Sequence, residues 1–289
     1  VVGDFKDVAA STHVLPSQYM PPDSLEPTNI GPWWEVPTGI AAYDFGYGVT
    51  FFDLENDGDQ DLYWTGSEVS SGQGVGGNIY PSVGRMMRNN GEGSFEDITA
   101  EAHLLNVLGV DYSFVGSNDT AIQLKLRELR VGFHENGKGV AHGDFNGDGS
   151  VDLIATNSSG RIKIDNSSSD MVYARGPVFL WLNNNSGNHW INLRLIGRMA
   201  IDGTGSNADA IGSRVYITTK IDNTDKPLVQ VQEVRAGSSY LSMDSIELEF
   251  GVGSATIIDE ITVLWPSGRR QVINDMVVDK IIEIIEPKE

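Results

Sequence analysis

The sequence predicts an all-β protein in which strand, acidic loop and strand are repeated and an antiparallel sandwich or barrel follows. Two observations carry that expectation. A nine-residue acidic loop occurs twice, each copy set between apolar runs. After residue 188 the chain becomes a series of short segments that alternate apolar and polar residues, separated by turn residues, the pattern of an antiparallel β domain.

The first 45 residues open with Phe5-Lys-Asp-Val-Ala and then carry Pro16, Pro21, Pro22, Pro27, Pro32 and Pro37. Proline at this density opposes both a regular helix and a central strand, which predicts a long surface segment. Trp33-Trp34 are expected to pin it to the body of the protein, the other reading being an exposed pair that stacks on a sugar or a partner.

The first acidic loop lies in Gly48-Val-Thr-Phe-Phe-Asp53-Leu-Glu55-Asn-Asp57-Gly-Asp59-Gln-Asp61-Leu-Tyr-Trp and the second in Gly139-Val-Ala-His-Gly-Asp144-Phe-Asn146-Gly-Asp148-Gly-Ser150-Val-Asp152-Leu-Ile-Ala. Aligned on Asp53 and Asp144, both place oxygen donors at positions one, three, five and nine and a glycine at six. A hard cation such as Ca2+ requires such donors and such a bend. Position twelve is Trp64 or Ala155, where an EF-hand would need a bidentate Glu, and the β-formers that follow predict an exiting strand. The competing reading is a pair of ordinary Asp/Gly hairpin turns. Under the metal reading the first site uses the side chains of Asp53, Glu55, Asp57 and Asp61 with the Asp59 carbonyl. The second uses Asp144, Asn146, Asp148 and Asp152 with the Ser150 carbonyl.

Between and after the loops, Gly72, Gly74 and Gly77 satisfy a G-x-G-x-x-G spacing, but Asn78-Ile-Tyr-Pro81 follows where a dinucleotide site needs a helix. The stretch reads as a loop. Arg85 to Thr99 predicts a strand, a glycine turn and a strand. Phe95-Glu-Asp-Ile echoes Phe5-Lys-Asp-Val at nearly the offset that separates Asp53 from Asp144, which predicts an internal duplication. Ala121 to Val131 reads as a half-buried strand, Ser158 to Asp170 as a solvated loop, and Val178-Phe-Leu-Trp-Leu as the last strand of this region. Beyond a boundary near 185–188, strands are expected at Ile191-Asn-Leu-Arg-Leu, Arg214-Val-Tyr-Ile-Thr, Leu228 to Val234, Ser245 to Phe250, Glu260 to Trp265 and Lys280 to Ile285.

The 289 residues suffice for two domains, predicted as 1–187 and 188–289. The formal charge of −20 argues against nucleic acid and anionic membrane surfaces as partners. The chain has no cysteine, which rules out disulfides and thiolate zinc sites. It has no apolar run of bilayer-spanning length. The start at Val1 fits a mature product left by signal-peptide removal, and equally a trimmed chain. Calcium loops are most useful where free calcium is high, so an extracellular, cell-surface or periplasmic location is expected. Sequons begin at Asn118, Asn157, Asn166 and Asn184.

No G-x-S-x-G or H-E-x-x-H motif is present. His142, in an apolar strand beside a hard-oxygen loop, is expected to be structural and not a ligand. Asp209, Asp259 and Glu260 are weighed as acid/base groups against the reading of solvated carboxylates, which prevails in a chain with 40 acids. Arg214 and Arg235 are expected to pair with nearby acids.

The two loops with their Gly-Val and Asp-Leu flanks resemble FG-GAP/VCBS repeats. Asn188-His-Trp-Ile-Asn-Leu-Arg-Leu-Ile-Gly, Ser206-Asn-Ala-Asp-Ala-Ile-Gly-Ser-Arg-Val, Glu233-Val-Arg-Ala-Gly-Ser-Ser-Tyr-Leu-Ser, Phe250-Gly-Val-Gly and Val263-Leu-Trp-Pro-Ser-Gly resemble the ASPIC/UnbV domain of cartilage acidic protein-like chains. The first resemblance implies β-propeller blades. At roughly forty to fifty residues per blade, residues 1–187 hold four at most, a small or incomplete ring. An open ring leaves strand edges to which another chain can add. The resemblance implies an extracellular binding or adhesion role; with two metal loops, a β framework and no catalytic motif, the expectation is a calcium-stabilised, non-enzymatic extracellular module that binds a protein or glycan partner or assembles with copies of itself. The resemblance supplies no catalytic residue. The alternative is a secreted carbohydrate-active enzyme with its site between the two domains.

Overall fold

The computed structural model describes residues 44–69, 79–80, 84–99, 101–104, 106–107, 110–111, 137–158, 160–163, 171–174, 176, 178–184, 187–220 and 227–288. The proline-rich opening with its Trp pair, the glycine-rich stretch, the segment 121–131 and most of 158–170 lie outside them. The strands are β1 (Asp44–Phe52), β2 (Asp61–Val69), β3 (Ile79–Tyr80), β4 (Arg85–Asn89), β5 (Phe95–Asp97), β6 (Asn106–Val107), β7 (Val110–Asp111), β8 (Gly137–Gly143), β9 (Asp152–Asn157) and β10 (Gly160–Lys163). They continue with β11 (Met171–Ala174), β12 (Val178–Trp181), β13 (His189–Ile196), β14 (Arg214–Thr219), β15 (Leu228–Glu233), β16 (Leu248–Gly253), β17 (Ile257–Leu264), β18 (Arg270–Val277) and β19 (Lys280–Ile285). The described residues hold no α-helix and a single 3-10 turn, Arg198–Ala200, so the all-β expectation is met.

The described residues fall into two compact units. One lies within Val1–Val49, Asp61–Val140 and Ala155–Phe179; the other lies within Thr50–Gln60, Ala141–Ile154 and Leu180–Glu289. In the first, the sheet runs β1-β2-β4-β5 with β3 on β2. Met86 and Met87 of β4 are adjacent yet both buried. Neighbouring strand residues point to opposite faces, so both faces of this strand are covered. Lys138 Nζ lies 3.5 Å from the Tyr47 ring centroid, and burial lowers its pKa to about 8.

In the second unit, sheets β16-β13-β19 and β15-β14-β17-β18 enclose one core. Ile191, Leu193, Leu195, Phe250 and Val252 from the first meet Val215, Ile217, Ile258, Ile261 and Val263 from the second, as two sheets stacked face to face require. Two features depart from the expected pattern. The segment Arg270–Val277 is a seventh strand whose residues are exposed or half-buried, so it carries little apolar signal. β19 pairs with β13 in parallel, because the chain leaves β18 in one sheet and turns at Val278-Asp279 into the other. Asp279, at a φ of 58°, makes the corner, and its amide bonds to the Trp190 carbonyl at 2.7 Å.

β16 explains what the rest of this unit does. All six of its residues are buried. Leu248, Phe250 and Val252 join the core, so by strand alternation Glu249, Gly251 and Gly253 face the other way. On the side away from β13, its carbonyls at 249 and 251 are met by side-chain amides, Gln232 Nε2 at 2.5 Å and Gln230 Nε2 at 2.6 Å. The outward face is covered by the two acidic loops.

Candidate metal loops on the C-terminal sheet

Each loop begins as a strand ends, and its first Asp turns its carboxylate back onto the loop amides. Asp53 Oδ1 accepts from the amide of Asp57 at 3.1 Å and Oδ2 from that of Gly58 at 2.8 Å, while Asp57 Oδ1 accepts from the Asp59 amide at 3.0 Å. In the second loop Asp144 Oδ1 accepts from Asp148 at 3.1 Å and Oδ2 from Gly149 at 2.8 Å, and Asp148 Oδ1 accepts from Ser150 at 2.9 Å. The same bonds recur at an offset of 91 residues, so the duplication extends to individual acceptor atoms.

The last Asp of each loop has a partner not expected from the sequence reading. Asp61 Oδ1 accepts from the Asn89 amide and Asp152 Oδ1 from the Asn183 amide, both at 2.8 Å. Asn89 ends β4 and Asn183 follows β12, each opening an Asn-Asn pair, a recurrence that could have flagged them. Asn183 also donates from its side chain to the Leu54 carbonyl at 2.7 Å, Asn188 to Glu55 at 2.9 Å, and buried Asn56 to Gly149 at 3.1 Å. Side-chain amides therefore tie the loops to each other, because each offers N–H donors to main-chain carbonyls.

The loops also rest on the sheet. The Gly253 amide donates to the Asn56 carbonyl at 2.8 Å, and a Cβ on Gly251 would collide with Asp53 Oδ2 and the Asn56 backbone. Glycine is what lets the loop approach β16 so closely. From β16, Glu249 Oε1 accepts the Asp144 amide at 2.8 Å; from β13, Asn192 Nδ2 donates to Asp144 Oδ2 at 3.0 Å.

The donor chemistry suits a hard cation: the proposed side-chain ligands offer oxygen and no imidazole or thiolate. Electrostatics points the same way in the second loop. Burial raises the Asp152 pKa against the pull of two amides, and the charges of Asp148 and Asp144 raise it further. Asp148 is held below the usual range: burial opposes ionisation, but the Ser150 amide, Asn146 and the Ser150 hydroxyl outweigh it. None of the ion pairs among the described residues involves Asp144, Asp148 or Asp152. The donors do not converge, however. Among the described residues no three His, Cys, Asp or Glu side chains are gathered closely enough to hold a metal. Asn146 and Asp148 are exposed and bond to each other at 2.8 Å, and they have to turn toward Asp144 and Asp152 to complete a cage. Of the remaining ligand candidates, Glu55 and Asp59 are half-buried and Ser150 is fully buried.

His142 sits under this site. Its Nδ1 is 2.7 Å from Thr50 Oγ1 and 3.2 Å from Asp244 Oδ1, its Nε2 is 3.8 Å from Glu249 Oε2, and Phe52 stacks on its ring. Burial lifts the Glu249 pKa to about 7; the charges of Asp144 and Glu247 add to this, while His142 and the Asp144 amide oppose it. Asp244 is lowered, because bonds from His142 and Ser238 outweigh burial. The other weighed groups are spread over the surface. Asp209 pairs with Arg194 at 3.2 Å, Arg214 with Glu233 at 3.0 Å, Glu260 with Arg270 at 3.6 Å and Arg235 with Asp244 at 3.9 Å, while Asp259 is an exposed strand residue.

No helix among the described residues is long and apolar enough to cross a membrane. The comparison with curated proteins finds no match. Residues 203–289 match the family model described as ASPIC and UnbV, so the C-terminal part of the chain carries an ASPIC/UnbV domain.

Proposed function

We propose that the chain is a calcium-stabilised, non-enzymatic module that works outside the cytoplasm, where it binds or scaffolds protein or glycan partners or copies of itself. In this reading the loop-bearing strands are FG-GAP/VCBS-type blades of a small or incomplete propeller preceding the ASPIC/UnbV domain, and each loop takes one Ca2+. The observation that carries it is the second loop, where Asp144, Asp148 and Asp152 repel one another and form no ion pair with a Lys or Arg among the described residues. A divalent cation relieves that repulsion. The neighbouring strands β1-β2-β4-β5, part of a five-stranded sheet in which β3 also pairs with β2, support the blade reading, which calls for four strands side by side. A partner-binding role is supported by Tyr240, Leu241 and Met243, large apolar side chains left exposed on one loop, with Leu241 at 86%.

A secreted carbohydrate-active enzyme is the second reading. Its support is Glu249, a carboxyl of raised pKa beside an imidazole, as a general acid would be. His142 and Glu249 are 14% and 4% exposed at their side chains, which places them out of reach of a polysaccharide and ranks this reading second. Hydrolysis of a polysaccharide panel that is lost in Glu249→Gln would reverse the ranking.

Calorimetric titration of the full chain with CaCl2 tests the first reading. We expect two sites, and a melting temperature that falls when a chelator is added, since calcium at a hundredfold its Kd stabilises by about 2.7 kcal/mol per site. Asp148→Ala is expected to weaken the second site roughly tenfold or more. Absence of binding heat together with a chelator-insensitive melting temperature sinks the proposal. Light scattering with and without chelator then separates self-assembly from binding of other partners.

A further inference from the structure

The sheet β15-β14-β17-β18 has two faces, and one of them lines the core. Val215, Ile217, Ile261 and Val263 point inward, and Gln230 and Gln232 reach the carbonyls of β16, so the residues between them point outward. The strand registers set the outward residues in three rows across the four strands. The first row is Glu233, Arg214, Leu264 and Arg270; the second is Val231, Tyr216, Thr262 and Val272; the third is Val229, Thr218, Glu260 and Asn274. A sheet face turned to water ordinarily carries polar residues. Here the middle row holds no charge, and Val229, Val231, Leu264 and Val272 are exposed, the first two at 59% and 56%. The charges stand on the two halves of the face as Arg214 with Glu233 at 3.0 Å and Arg270 with Glu260 at 3.6 Å. The Thr262 hydroxyl donates to Glu260 Oε1 at 2.6 Å and accepts from Arg270 Nη2 at 3.1 Å, which fixes the second pair in place.

We propose that this face is where two copies of the chain meet, their sheets stacked face to face about a two-fold axis parallel to the strands. The proposal rests on the self-association included in the function above and names the surface for it. Charge complementarity selects a second copy as the occupant. A turn about that axis sets β15 over β18 and β14 over β17 of the other copy and keeps the rows opposite one another. Glu233 then faces Arg270 of the other copy. The two pairs within each chain thereby join into the run Arg214, Glu233, Arg270 and Glu260, alternating in sign and formed twice by symmetry. In the middle row Val231 faces Val272 and Tyr216 faces Thr262, uncharged surface against uncharged surface. A face of one sign would repel its own copy. This one balances two Arg against two Glu, so it brings copies together although the whole chain carries −20. Sheets stacked in this way lie about 10 Å apart, close enough for the facing rows to interdigitate.

The test is light scattering over a concentration series of the full chain in calcium-containing buffer, beside Glu233→Arg, Arg270→Glu and Val231→Asp. Wild type is expected to be dimeric by about 100 μM, as a weak but specific interface would be. Each charge reversal sets like charges against each other at both symmetric contacts and is expected to raise the dimer Kd roughly tenfold or more. Val231→Asp places an unpaired carboxylate in the uncharged row and is expected to do the same. Near-UV circular dichroism at a concentration where wild type is monomeric reports whether each variant is folded. The decisive sample mixes Glu233→Arg with Arg270→Glu. In the mixed dimer each reversed residue meets its opposite at both contacts, so association should return to within about threefold of wild type. A mixture that associates no better than its separate components overturns the proposal, and so do folded variants that associate like wild type; either result leaves self-association through other surfaces standing. Wild type that stays monomeric at about 100 μM overturns the proposal and removes self-association from the function as well. Calcium binding is read separately by the titration above and does not move with either result.

Discussion

Glu286→Ala is expected to destabilise the C-terminal unit by about 3–5 kcal/mol, the usual loss when one partner of a buried ion pair is removed. Glu286 is fully buried just after β19, and its oxygens are engaged on all sides. Oε2 accepts the amides of Arg198 at 3.0 Å and Ser206 at 2.7 Å; Oε1 accepts from the Ser206 hydroxyl at 3.1 Å, from the Ser267 hydroxyl and from Arg269 Nη1 at 3.1 Å. One carboxylate thus joins the end of the chain to the turn after β13 and to the turn between β17 and β18. At 2–4 °C per kcal/mol for a unit of this size, the melting temperature should drop by about 10 °C, measured by differential scanning calorimetry. A drop below about 2 °C would show that the latch is redundant.

The same residue sets an acid limit. Burial alone would raise its pKa, but the Ser267 hydroxyl, the Arg198 and Ser206 amides and the Ser206 hydroxyl bring it from 4.5 down to about 2. A carboxyl whose folded pKa is depressed binds fewer protons folded than unfolded. Its contribution is therefore complete above about pH 4.5 and is lost as pH falls toward about 2. Glu286→Gln, which cannot ionise, should be less stable than wild type at neutral pH, and the gap should close across that window. A gap that stays constant with pH would contradict the assignment.

What the sequence made legible follows from how local each signal is. The loops were readable because Asp, Asn and Gly at fixed spacing specify a turn by themselves, and their flanking strands because Leu62-Tyr-Trp and Leu153-Ile-Ala are apolar runs. The sandwich strands were readable where alternation separates core from solvent, as in Arg214–Thr219. Strand β18 was not, since an edge strand without a fully buried residue leaves no such contrast. The outward residues of β16 were illegible for a different reason. The expected strand ends at Phe250, short of Gly251 and Gly253, and within it Glu249 looks like the polar half of the alternation; only the long-range arrival of loops from residues 53–56 and 144–149 shows the three to be a docking surface. Asn192 has the same history: in Ile-Asn-Leu-Arg-Leu it looks like the polar half of an alternating strand, yet it is 1% exposed against Asp144.

Gly149→Ala should be the most damaging single change in the loops. Gly149 has a φ of 88°, a conformation that L-residues avoid, and a Cβ there would fall within the Trp190 indole. The backbone term costs about 1 kcal/mol and the overpacking a further 1–3 kcal/mol, so we expect a combined loss of about 2–4 kcal/mol. Gly147→Ala is the matched control. It shares a left-handed φ of 76° but has open space around its Cβ, so only the backbone term, about 1 kcal/mol, applies. Chemical denaturation of the two variants separates strain from contact. Equal losses would mean that Trp190 yields and that the loop does not depend on its seat against β13. A much larger loss in Gly149→Ala would mean that the bend of the second loop is held against the sheet. On the calcium reading proposed above, Gly149→Ala should also weaken calcium at the second loop, because Asp144 Oδ2 is held by the Gly149 amide that the substitution displaces.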